Sequence, residues 1–162
     1  IETSAGAVGF ATDIGILTDA LIQLFQDCSV LAIESNHAVE LLRVSPYAAS
    51  TRARIASANG HLSNEALAEF IRTHLPGTVR CMVLVHLSRV NNVPEIAELT
   101  CREALLACGR GDVQVVVTRQ DRVSPTIDLE SLATPGRLSS DGAQEGLPFG
   151  QLSVEKVSEA GR

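Results

Sequence analysis

The run Ser29-Val30-Leu31-Ala32-Ile33-Glu34 constrains the fold more than any other segment of the chain. It is short, continuous and apolar, the pattern of a strand buried on both faces, and such a strand belongs inside a covered sheet. Val79 to His86 and Val113 to Thr118 read as further strands, and Ala7 to Asp13 as an earlier one with Gly15 turning the chain after it. Between them the apolar period changes. Thr18 or Asp19 caps a helix carrying Leu21, Ile22, Leu24 and Phe25. Val39, Leu41 and Leu42 form a helical stretch broken at Pro46-Tyr47, and Ser50 to Ala58 is basic and helical. After a break at Gly60-His61-Leu62, Ser63 or Asn64 caps a helix from Glu65 to His74 with Leu67, Phe70, Ile71 and Leu75 at helical spacing. Asn91 or Asn92, with Pro94 and Glu95 in the first turn, starts a long helix that ends at Ala107 before Gly109 and Gly111. Strands alternating with helices predict an α/β sheet layered with helices.

Composition sets the limits. The 162 residues suffice for one domain with a core. Aromatics are only 3% and Trp is absent, so the core has to be aliphatic. A net charge of −6 argues against a broad nucleic-acid-gripping face, leaving room for a local basic strip at Arg52 and Arg54. Cys28, Cys81, Cys101 and Cys108 include no CxxC clip; buried thiols in a reducing compartment are the expectation, with disulfides as the alternative. No run approaches a membrane span and no signal peptide opens the sequence, so a cytoplasmic chain without a membrane partner is expected. The start at Ile1 suggests a piece of a longer protein. From about Asp128 the periodicity dissolves, and residues 131–162 are expected to form a disordered tail behind a domain spanning 1–130. No internal repeat, Walker motif or GxGxxG is present.

Several residues at strand ends carry chemistry. Asp13, in Asp13-Ile14-Gly15, is either a metal-ligating carboxylate or a turn residue. His86 closes a largely apolar run and is either a metal ligand or a satisfied core histidine. His61 sits between Gly60 and a helix start; ligation, proton transfer, phosphate binding and no role at all remain open. His37 is a candidate acid–base group or a loop hydrogen-bonding residue, and His74 complements a helix C-terminus without a function. Asn91 and Asn92 either cap the long helix or line a site's rim.

Taken in order, Phe10-Ala11-Thr12-Asp13-Ile14-Gly15, Leu31-Ala32-Ile33-Glu34-Ser35-Asn36-His37, Arg54-Ile55, Gly60-His61-Leu62-Ser63-Asn64, Val85-His86-Leu87-Ser88 with Asn91-Asn92, and Thr118-Arg119-Gln120-Asp121 resemble the YycJ (WalJ)-like subgroup of metallo-β-lactamase-fold hydrolases. The resemblance implies an α/β fold that is the C-terminal half of a metallo-β-lactamase αββα sandwich, with a mixed sheet and helices packed on its outer face. It implies a phosphodiesterase or nuclease acting on DNA, RNA or another phosphodiester with two divalent ions, zinc or manganese. Asp13 and His86 match metal ligands in that pattern. His61 and His37 match polar positions beside the substrate phosphate and are the catalytic candidates, with Ser35, Asn36, Ser63 and Asn64 as substrate-binding candidates.

The sequence also departs from that pattern. No His-x-His-x-Asp-His run is present, a further lone histidine ligand is missing, and Ala38 stands where the family has an acid after Asn36-His37. Two ligands cannot hold a dinuclear site, so the chain alone is expected to retain no catalytic metal and to be inactive without the N-terminal half of its domain. The alternatives are a non-catalytic half-domain that pairs with another chain, including a second copy of itself, and a generic doubly wound domain binding a small ligand at its strand ends.

Overall fold

The computed structural model describes residues 1–133. Its elements run β1 (Glu2–Thr3), β2 (Gly6–Ala11), α1 (Asp19–Leu24), β3 (Cys28–Glu34), α2 (Val39–Arg43), α3 (Ala49–Ile55), α4 (Asn64–His74), β4 (Cys81–Val85), α5 (Pro94–Ala107), β5 (Gln114–Val117) and α6 (Leu129–Ala133). The five strands form one mixed sheet in the order β1-β2-β3-β4-β5. β1 is antiparallel to β2, while β2, β3, β4 and β5 are parallel. Parallel neighbours need crossover connections, and α1, the α2–α4 segment and α5 supply them.

Alternation along each strand splits its side chains between two faces. Leu31, Ile33, Met82 and Leu84 meet Ile22 and Phe25 near α1, Leu67, Phe70 and Ile71 of α4, and Ala97, Cys101, Ala104 and Leu105 of α5. Each of the four strand residues is completely buried, which stabilises the fold by roughly 1.5–3 kcal/mol per side chain. Phe25 and Phe70 are the aromatic contact in this core, edge to face at 6.1 Å. On the opposite face Val30, Cys81, Val83 and Val116 form a smaller cluster with Ile127, Leu129 and Leu132 around α6. Phe10 pairs in register with Ala32, which in turn pairs with Val83, so it lies on this second face, yet it is 65% exposed.

Local signals explain most boundaries. Thr18 caps α1, its hydroxyl accepting from the Leu21 amide, and Ser63 caps α4 by accepting from Ala66. One expectation is corrected. Neither Asn91 nor Asn92 caps α5: the N-cap is Val93, without a side-chain bond, and Pro94 opens the helix because its missing N–H costs nothing there. The boundary at residue 130 falls inside α6, which is held to the sheet by Leu129 and Leu132. The remainder of the expected tail, 134–162, lies outside the described residues. All four cysteines are free thiols, so the disulfide alternative is not realised. No helix among the described residues is long and apolar enough to cross a membrane.

Candidate metal and acid–base site

The parallel register brings chemically active residues to one edge. Ala11 pairs with Ile33, and Glu34 pairs with Val85, so β2, β3 and β4 end level with one another. Asp13 follows the first of these ends and His86 the last. They are the two non-glycine residues with positive φ among those described, at 56° and 59°. Such left-handed backbone is uncommon outside glycine and is held in place by its surroundings.

Glu34 is the surrounding that holds them. It is completely buried at the end of an apolar strand, and its two oxygens are filled by donors. Oε2 accepts from the Ile14 amide at 2.9 Å and the Leu62 amide at 3.4 Å. Oε1 contacts Nδ1 of His61 at 2.8 Å and Nδ1 of His86 at 2.7 Å. A carboxylate only accepts, so Nδ1 of each ring is the donor and Nε2 is the ring nitrogen left free of Glu34. This is how a carboxylate orients a ligating histidine. The two rings meet edge to face at 5.1 Å. Asp13 Oδ1 lies 3.8 Å from Nδ1 of His61 and 4.0 Å from Nδ1 of His86. Asp13, His61 and His86 each offer a ligand atom within 4.8 Å of the others. The carboxylate of Asp13 is 70% exposed and the His86 ring 40%, so the cluster opens to solvent.

Other candidates form the scaffold beneath. Ser35 and Asn64 are 0% and 2% exposed. The Ser35 hydroxyl donates to Asn64 Oδ1, Asn64 and Asn92 exchange amide bonds, and Asn92 Nδ2 donates to the Ser35 carbonyl. Ser35 and Asn64, expected as substrate-binding residues, are both held in a buried network that joins β3, α4 and the approach to α5. Ser63 is likewise occupied as the α4 cap. Asn36 does line the site, with its amide donating to the His86 carbonyl, which helps hold the left-handed turn there. His37 is not brought into the cluster. It is 2% exposed, its Nδ1 has no hydrogen-bond partner, and its backbone bridges to Ser63. Burial, opposed chiefly by the Glu65 carboxylate, pushes its pKa down.

A cleft of about 330 Å³ adjoins the cluster, lined by Asn36, Tyr47, Arg54, His61, His86 and Asn91 among others. Two glycines permit it. A Cβ on Gly15 would collide with the Ser57 and Ala58 carbonyls, and one on Gly60 with those of Arg54 and Ile55. These close approaches clamp the end of α3 against the Asp13 loop and bring Arg54 to the site. A wider groove of about 680 Å³ continues from His86 past Arg89 to Thr118 and Asp121.

Glu34 and Tyr47 are not singled out by the sequence as site residues, while Arg54 enters only as part of a possible basic strip with Arg52. A charge closing an otherwise apolar strand was the available signal for Glu34, since a buried carboxylate needs donors. Nothing in local sequence marks Tyr47.

No family profile matches the chain. A Streptococcus pneumoniae protein named exodeoxyribonuclease WalJ is 35% identical over 121 residues, 73% of this chain and 45% of that protein. A Bacillus anthracis protein named exodeoxyribonuclease YycJ is 33% identical over 100 residues, 62% of this chain and 38% of that protein. The chain spans less than half the length of either relative. On this similarity the chain belongs with the YycJ (WalJ)-like proteins.

Proposed function

We propose that this chain is the C-terminal part of a metal-dependent phosphodiesterase that cleaves nucleic acid, built on a metallo-β-lactamase αββα sandwich. The observation that carries the reading is the convergence of Asp13, His61 and His86 over one buried carboxylate. The donor set fits a divalent ion such as zinc or manganese, since carboxylate oxygen and neutral imidazole suit both. Asp13 and His86 would hold it. When bound, such an ion neutralises phosphate oxygens and lowers the pKa of water. A two-ion site needs more protein ligands than these residues supply, so the chain alone holds metal weakly and the missing ligands come from the rest of the domain.

The chain's own residues do the remaining work. Glu34 fixes both rings and stabilises positive charge on either. His61 is the less exposed of the two histidines and is the group that protonates the leaving oxygen: in its imidazolium form Nδ1–H stays hydrogen-bonded to Glu34 while Nε2 gives up its proton to the leaving oxygen. Asn36 steadies the backbone of His86. The relatives' names include exodeoxyribonuclease, and DNA is the substrate we favour.

The test joins this chain to an N-terminal half carrying the metal motif and assays cleavage of DNA and bis-p-nitrophenyl phosphate with manganese or zinc. Cleavage that is lost in Asp13→Asn and His86→Ala is expected. A folded joined protein without activity overturns the reading. The exposed Phe10 face supports a second reading, an association module; a monodisperse monomer by light scattering would count against it.

A further inference from the structure

The cleft beside His61 and His86 has features the acid–base cluster does not use. Its lining residues include Arg54 and no carboxylate, in a chain whose net charge is −6. Arg43, Arg72, Arg102, Arg110 and Arg119 each pair with an acid, and Arg52 is spent on the Ser45 and Tyr47 carbonyls. Arg54, two residues further along the same short helix, has no ion pair or side-chain hydrogen bond among the described residues, and it lines the cleft. An uncommitted guanidinium beside a cluster suited to phosphodiester chemistry is an anion-binding group, since its fork matches phosphate oxygens.

Two neighbours extend the argument. Tyr47 is the chain's single tyrosine, in a sequence with no tryptophan. It lines this cleft instead of the core, and is 38% exposed. Aromatic rings at such positions stack bases without regard to sequence. Asn91 also lines the cleft. It is 1% exposed, and its Oδ1 has no hydrogen-bond partner. A buried acceptor left unpaired beside an open cleft calls for a donor from outside, and nucleobases carry N–H groups.

We infer that Arg54, Tyr47 and Asn91 form a nucleotide subsite next to the scissile phosphate, with Arg54 holding a backbone phosphate, Tyr47 stacking a base and Asn91 accepting from that base. The inference rests on the nucleic-acid reading above and names where the strand sits.

The test is fluorescence anisotropy of the whole 162-residue chain with a labelled single-stranded thymidine oligonucleotide of about eight nucleotides, within the span such grooves cover, in a chelator to prevent cleavage. Arg54→Gln should weaken binding about tenfold, a loss in line with a charge-assisted bond, and reduce the salt dependence by roughly one counterion. Arg54→Lys should recover part of the affinity. Tyr47→Leu should weaken binding about fivefold or more, and Tyr47→Phe should bind as the unaltered chain does. With an abasic strand the Tyr47→Leu effect should vanish and the Arg54→Gln effect persist. Arg43→Gln, at an exposed pair with Glu40, should change nothing. Circular dichroism confirms that each variant is folded. Equal binding by Arg54→Gln, Tyr47→Leu and the unaltered chain overturns the subsite, as does absence of binding by the unaltered chain. The phosphodiesterase reading is judged separately, by cleavage in the joined protein.

Discussion

Glu34 organises the site although it cannot reach solvent. Its oxygens meet two backbone amides and two imidazoles, so removing its charge affects both histidines together. Glu34→Gln keeps the shape but replaces one oxygen with a donor that faces another donor. Zinc affinity, measured by competition with a chromogenic chelator, should fall by about 10–100-fold, as for other groups that orient metal ligands. Unchanged affinity would show that the two rings are positioned without it. His37 gives a different residue-scale prediction. Burial lowers its pKa from the ordinary 6.5, so the unfolded chain takes up the proton first as pH falls. Stability from the neutral ring is complete above about 6.5 and is lost as pH drops toward the depressed folded value. Thermal unfolding followed between neutral and mildly acid pH should show a shallower loss in His37→Gln than in the unaltered chain.

At the scale of elements, periodicity and caps made most of the secondary structure legible. Thr18, Ser63 and Pro94 sit at helix starts for reasons that act within one turn. Asn91 and Asn92 were not legible in this way, because tertiary partners override local capping preference: Asn92 is taken by Asn64 and Ser35 from distant segments. The turn at Gly60 packs directly on the carbonyls at the end of α3, where a Cβ would collide with Arg54 and Ile55. Gly60→Ala should destabilise the fold by about 1–3 kcal/mol, the cost of overpacking, measured by urea unfolding. The strands and α5 also shelter thiols. Burial pushes Cys81 up to about 11 and Cys101 up to about 12, so both stay protonated at neutral pH. Iodoacetamide at mildly alkaline pH should label the half-buried Cys108 well before either; rapid native labelling of Cys81 or Cys101 would contradict the packing.

For the whole molecule, the informative surface is the second face of the sheet. α6 covers part of it, while Phe10 remains exposed. An exposed aromatic side chain at the edge of an apolar sheet face favours association where that face is extended by another layer. The chain should self-associate with rising concentration in light scattering, and Phe10→Lys should reduce this. No difference between the unaltered chain and Phe10→Lys would remove Phe10 from that surface.

Sequence by itself determined the alternation of strands and helices, the aliphatic core and the presence of Asp13, His61 and His86 at the ends of elements. Those properties follow from local periodicity and turn chemistry, which act over a few residues. Only the tertiary structure decided which of these residues meet. Parallel pairing levelled the ends of β2, β3 and β4, and one buried carboxylate then collected His61 and His86 from segments 27 and 52 residues away. The same packing left His37, Ser35 and Asn64 inside and opened the cleft at Tyr47 and Arg54. Register and burial are properties of the assembled sheet, and no window of sequence contains them.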